Sequence, residues 1–282
     1  MVAANLTQLF GTLITASHIL HFHGVLDAYG HLSVRNPNNA LTFFMSRNEA
    51  PALMASASDI VEYRISDASP VKPNAPRGFI ERYIHSEIFK RFSAINSVVH
   101  SHSPPVIPFS ISGVPMKPSI HLAGFLGEEV PVFNIVDHYN ATDSQDLLVR
   151  TIPLGAALAA EFSNNNSLQA EPDHLVVLMR SHGFTTCADN IKLAVMQAIY
   201  TQTDATVQST ALTIRNAYLG SKNEGDGVVY LTAQQAKNSW AIDAGTVERP
   251  WDLWVHEVES SDLYVNMLDP TQTIPAAPNF VS

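Results

Sequence analysis

The chain has a single cysteine, Cys187, among 282 residues. An intramolecular disulfide framework is thereby excluded, and the composition suits a reducing compartment. Positive charge is scarce: 16 Lys and Arg stand against 26 Asp and Glu, a formal balance of −10. Nucleic acid and anionic membrane surfaces are therefore not expected as partners. No Lys or Arg precedes Arg35, so the N-terminus lacks a signal peptide's basic region. No apolar run reaches membrane-spanning length. The sequons at Asn5 and Asn140 then read as chance, and the expected location is cytoplasmic. Charged residues make up only 15%, little for a monomer's surface, which points to burial between subunits. Internal repeats and low-complexity segments are absent.

What is present is apolar: 46% of the residues, enough for a large core. Asn5 with Gln8 resembles a capping box, and Leu6, Phe10, Leu13, Ile14 and Leu20 follow at roughly helical spacing. That helix should end near His23-Gly24. Gly30 to Arg35 reads as a turn into a strand, Leu41 to Ser46 as its antiparallel neighbour, and Ile60 to Ile65 as a third strand. A proline-rich loop, Ser69 to Gly78, leads into a helix from Phe79 to Phe92. Ser97 to His102, Glu129 to Ile135 and Leu175 to Met179 read as strands; Ser144 to Ser163 and Asn190 to Asn216 read as helices. The tail after Ala244, with Trp251, Trp254 and its prolines, is expected to pack by extended contact. Strands and helices in mixed order fit one α/β domain.

Four residues suggest one site. In Val98-Val99-His100-Ser101-His102-Ser103 the histidines are two apart, so on a strand both imidazoles face the same side. His182 ends a second apolar strand, before a glycine that permits close backbone approach. Three histidines plus an open position is the plan of a catalytic metal site. Glu81 offers a carboxylate to move a proton or complete the coordination. A lone His-x-His is more often structural than ligating, and spacing does not bring His182 to the other two.

Glu81-x-x-x-His85, Ser97-Val98-Val99-His100-Ser101-His102-Ser103-Pro104 and Arg180-Ser181-His182-Gly183 together resemble the class II aldolase/adducin family, from the first helix to about Thr210. The resemblance implies a three-layer α/β/α sandwich with a central, mostly antiparallel sheet. It implies a divalent metal on His100, His102 and His182, with Glu81 as acid/base. Homotetramers with sites near subunit interfaces are common in the family.

Departures from the family pattern bear on substrate. Sugar-phosphate aldolases bind phosphate with a Gly-Asn-x-Ser turn, a Thr/Ser-Gly turn and a Ser-Ser pair before the glutamate. Here stand Gly30-His31-Leu32-Ser33, Ser46-Arg47-Asn48-Glu49 and Phe79-Ile80. Two apolar side chains donate no hydrogen bond, so a non-phosphorylated substrate is expected. Gly30 to Pro37, Ser46-Arg47, Phe109 and His121 to Gly127 resemble a side branch containing decarboxylases of hydroxylated aromatic or pyridine carboxylates and an iron oxygenase of aromatic prenyl acids.

The reading is a divalent-metal-dependent carbon–carbon lyase, decarboxylating or retro-aldol, acting on a small non-phosphorylated, hydroxylated or aromatic carboxylic substrate. Its alternatives are a non-haem iron oxygenase at the same site and a non-catalytic adducin-like interaction protein. Zinc is the first expectation for the metal, with manganese, magnesium or iron as alternatives. Arg47, which suits bidentate carboxylate binding, His31, His121 and Arg180 are the substrate-binding candidates, each with a structural role as its rival. His85 either orients Glu81 or packs the helix. His18, His21 and His23 form a tempting tract at a helix end, and Tyr200 and Tyr218 are candidate acids from a neighbouring subunit. Residues 1–244 are expected to form the catalytic domain, and 245–282 an extension on the same or a neighbouring subunit.

Overall fold

The computed structural model describes residues 4–164, 169–219 and 227–269. Asn5 accepts hydrogen bonds from the N–H groups of Thr7 and Gln8 and starts α1 (Leu6–Phe22). Gly24, at φ +66°, turns the chain out of the helix. The strands β1 (His31–Arg35), β2 (Thr42–Ser46) and β3 (Ile60–Arg64) follow. Then come α2 (Arg82–Arg91), β4 (Ser97–Ser101), the single turn α3 (Ile107–Ile111) and the two-residue β5 (Val132–Phe133). The remaining elements are α4 (Ile152–Ala160), β6 (Val176–Met179), β7 (Gly183–Ala188), α5 (Ile191–Leu219), α6 (Ala233–Ala244) and α7 (Glu248–Glu259).

The seven strands form one sheet in the order β3-β2-β1-β4-β7-β6-β5. Every pairing is antiparallel except β5 with β6. Side chains on a strand alternate between faces, and here both faces are covered. Leu32, Val34, Phe44, Val99, Leu178 and Phe184 join the core shared with α1, α5 and α7. Phe43, Met45, Val98, Val177 and Cys187 join the core beneath α2 and α4. Each fully buried large aliphatic or aromatic side chain contributes about 1.5–3 kcal/mol. The result is the expected three-layer α/β/α sandwich. Among the described residues no helix is long and apolar enough to cross a membrane.

Several segments depart from the expected elements: β7 was not anticipated, and the strand expected over Glu129 to Ile135 reduces to Val132–Phe133. The helix anticipated from Ser144 shrinks to Ile152–Ala160, capped by Thr151 with Pro153 in its first turn. Residues 144–151 stay irregular, and their backbone serves the site described below. The helix anticipated from Phe79 begins at Arg82, which leaves Glu81 as its cap residue. The tail is helical: α7 buries Trp251, Trp254 and Val258 in the core that contains α1 residues. Residues 270–282 of the anticipated extension lie outside the described residues.

Candidate metal centre and adjoining cleft

His100 occupies the end of β4 on the α2 face, the side shared by Val98. His102 follows two residues later, just past the strand. His182 arrives from the β6–β7 hairpin, where Met179 pairs with Gly183. Ser181 takes φ +57° in that turn, a conformation costing a non-glycine residue about 1–2 kcal/mol. Gly183 is required: a Cβ there would collide with the carbonyl oxygen of Ser101, between the two β4-end histidines. The missing side chain lets β7 approach β4 and brings in His182.

The three Nε2 atoms converge. His102 Nε2 lies 3.1 Å from the Nε2 atoms of both His100 and His182. Glu81 Oε2 stands 3.6 Å from Nε2 of His100 and of His182. All four ligand atoms fall within 4.8 Å of one another. The opposite ring nitrogens are each held by oxygen. Nδ1 of His100 meets the Phe184 carbonyl at 3.2 Å, that of His102 meets Asp27 Oδ2 at 3.2 Å, and that of His182 meets the Leu147 carbonyl at 3.0 Å. Those acceptors favour a proton on each Nδ1 and leave each Nε2 with a lone pair facing the others.

Three lone pairs and a carboxylate so close repel unless a cation sits among them. Ligands about 2.0–2.1 Å from one ion stand about 2.9–3.4 Å apart, which is the spacing of the histidine pairs. The donor set thus fits a divalent ion. The local electrostatics agree. Burial, aided by the neighbouring histidines, holds His100 well below the usual imidazole range. Burial also presses on His182, but the Glu81 hydrogen bond and charge outweigh it and raise that group. The same field that favours a proton there favours a metal.

Glu81 is buried, and its second oxygen, Oε1, accepts the N–H of Val149 at 2.9 Å. The irregular segment before α4 therefore fixes both the glutamate and, through Leu147, His182. Asp27 accepts the N–H groups of Tyr29 and Gly30 as well as touching His102. Burial would raise its carboxyl, and these partners lower it instead. Sequence reasoning missed Asp27; its local signal was an Asx turn before Gly30, and nothing linked it to the histidines.

A cleft of about 770 Å³ opens beside the cluster. Tyr29, His31, Tyr63, Arg77, Phe79, Ile80, Glu81, Arg82 and His102 are among its lining residues. Gly78 lies against the Tyr63 ring, where a Cβ would collide with the hydroxyl. Of the sequence candidates, His31 is in the cleft. Arg47 is paired with Glu49 and Asp59 and is not among the lining residues. His121, 70% exposed, pairs with Asp243, and Arg180 is exposed; neither lines the cleft. Arg77, which the sequence reading passed over, has a guanidinium without a hydrogen bond or ion pair among the described residues. His85 turns away from Glu81 to Ser33 and His31. Tyr200 packs against Trp254, and Tyr218 is exposed on α5.

A mostly antiparallel sheet with helices on both faces, bearing a His₃–Glu cluster at one end of its central strands, defines a class II aldolase-type α/β protein. A family model described as Class II Aldolase and Adducin N-terminal domain matches residues 12–209, and the chain belongs to that family. It is 46% identical over 256 residues to decarboxylase tropJ of Talaromyces stipitatus, covering 91% of this chain and 96% of that one. It is 27% identical over 193 residues to a 3,4-dihydroxyphthalate decarboxylase of Arthrobacter keyseri, covering 67% and 72%. The fold is similar to that of an aldolase II superfamily protein from Pseudomonas syringae, with a TM-score of 0.69, 18% identity, and 95% and 98% of the two chains covered.

Proposed function

We propose that this protein is a divalent-metal-dependent decarboxylase of a small, non-phosphorylated, hydroxylated aromatic carboxylic acid. The observation that carries the reading is the convergence of three Nε2 atoms and the Glu81 carboxylate beside a cleft walled by Tyr29, Tyr63 and Phe79. The decarboxylase relatives support carbon dioxide loss over retro-aldol cleavage, which would use the same residues. Zinc is the first choice of metal, with manganese, magnesium and iron as rivals.

His100, His102 and His182 would hold the ion, which would supply Lewis-acid stabilisation of negative charge on the substrate. The guanidinium of Arg77, without a partner among the described residues, pairs with a substrate carboxylate, the role first considered for Arg47. Phe79 and the tyrosines bear against the ring. Phe79 and Ile80 stand where a phosphate site would need donors, which supports a non-phosphorylated substrate. Glu81, fixed through Oε1, takes the proton of a substrate hydroxyl and returns it to the carbon that loses carbon dioxide, so that the carboxylate is regenerated. His121 and Arg180 have no part within a single chain's cleft.

The assembly is a homotetramer in the cytoplasm; the low share of charge and exposed Tyr29 and Leu41 support subunit burial. Residues 1–244 are the catalytic domain, and of the extension from 245 the described residues 245–269 brace it from the α1 side.

The test is carbon dioxide release from a panel of hydroxylated benzoates and phthalates, with oxygen uptake followed in parallel. Release without oxygen consumption, abolished by a chelator and restored by metal, is expected. Oxygen consumed in step with turnover would replace the decarboxylase with an oxygenase.

A further inference from the structure

Behind the metal cluster lies a second buried polar chain. Ser33 Oγ is 2.6 Å from His85 Nδ1, and His85 Nε2 is 2.7 Å from His31 Nδ1. Ser33 and His31 come from β1 and His85 from α2, and all three are buried. The His31 ring packs between Phe79, at 4.6 Å, and His100, at 5.1 Å between centroids. Burial pushes His85 down to about 3, and at 2.7 Å its Nε2 and His31 Nδ1 share a single proton.

Two neutral imidazoles in series carry one proton per contact, so the chain can run only one way or the other. Ser33 decides the direction. Its hydroxyl is buried, and among the described residues its one partner is His85 Nδ1. Reversal would make Ser33 Oγ the acceptor and leave its own hydrogen buried without an acceptor, which costs free energy. The hydroxyl therefore donates to His85 Nδ1, and His85 Nε2–H donates to His31 Nδ1. His31 is left with a proton on Nε2, which has no protein partner among the described residues. His31 lines the cleft beside Glu81 and His102.

We propose that His31 is a specificity-determining residue that presents a fixed Nε2–H donor to an acceptor oxygen of the substrate, with Ser33 and His85 as positioning residues that set its polarity. The group recognised is an anionic or carbonyl oxygen, such as the phenolate or second carboxylate of a hydroxylated aromatic acid. A hydroxyl that must donate is disfavoured at that place. The proposal rests on the cleft being the substrate site.

Two readouts test it on the zinc-loaded protein. The first is ¹⁵N–¹H NMR with ring-labelled histidine, which reports tautomers independently of activity. His31 and His85 should both be protonated at Nε2, and Ser33→Ala should shift both toward the Nδ1–H form. A His31 protonated at Nδ1 in the wild type would overturn the proposal. The second is kinetic. His31→Phe should keep its metal and lose about 10–100-fold in kcat/KM, and His31→Gln, which restores an N–H at similar reach, should recover part of the loss. Full kcat/KM in His31→Phe with Glu81→Gln inactive would overturn the proposal and leave the cleft as the substrate site. Full activity in both variants would overturn the cleft reading as well.

Discussion

His18, His21 and His23 lie close together near the end of α1, whereas His182 is 80 residues beyond His102. In space the relation is reversed. The α1 histidines hydrogen-bond to three different groups, His18 to the Met54 carbonyl, His21 to the Tyr264 hydroxyl and His23 to Glu257. At the sheet end three imidazoles turn the same nitrogen to one point. On a helix, residues three apart share a face, and His18 and His21 both pack against the Tyr264 ring, yet their ring nitrogens bind different oxygens and do not converge. On a strand, two histidines two apart share a face, and a tight hairpin adds the third. Local density of histidine thus says less about a metal site than the geometry of the element that carries it.

The sharpest break in this comparison is removal of one histidine from each group. His182→Ala should take turnover to background, while His21→Gln should leave it within about twofold; equal losses would mean that both groups act only through the fold. Next comes Glu81→Gln, expected to retain metal and lower kcat by about 10²–10⁴; unchanged kcat would remove Glu81 from the chemistry. Asp27→Asn weakens the acceptor that orients His102, and metal titration should show affinity lower by about 10–100-fold.

A further effect, on stability and not on the site, concerns His18, whose burial pushes it from 6.5 down to about 4. Being neutral in the folded chain and free to protonate when unfolded, it contributes stability that is complete above pH 6.5. That contribution is lost as the pH falls toward 4 and amounts to about 3 kcal/mol. Denaturant titrations of His18→Gln should show a flatter decline between those pH values. An unchanged slope would place the acid sensitivity elsewhere.

Much of the frame was legible in the sequence because it is local. Alternation on β1, the short apolar runs of β2 and β4 and the cap at Asn5 mark their elements directly. The strand β7, Gly183–Ala188, was missed: it has no such run of large apolar residues. The helix α7 was missed because Pro250 reads as a breaker, although in a first turn proline is tolerated. Its Trp251, Trp254 and Val258 keep helical spacing. The anticipated helix from Ser144 ran too long because propensity cannot show that Leu147 and Val149 lend their backbone to the site. The four cluster residues stood out as residue types in a familiar order, but their convergence depended on the β4–β7 register and Gly183. Asp27, Arg77 and the Ser33–His85–His31 chain join distant segments, which no local pattern encodes.

The most direct test of the central claim is the metal content of the purified protein beside a His100→Ala/His102→Ala variant of the same fold by circular dichroism. The structure predicts close to one divalent ion per chain in the wild type, or after incubation with zinc, manganese, magnesium or iron, and none in the variant. Wild-type protein that takes up no ion, or a variant that binds as much, would contradict it.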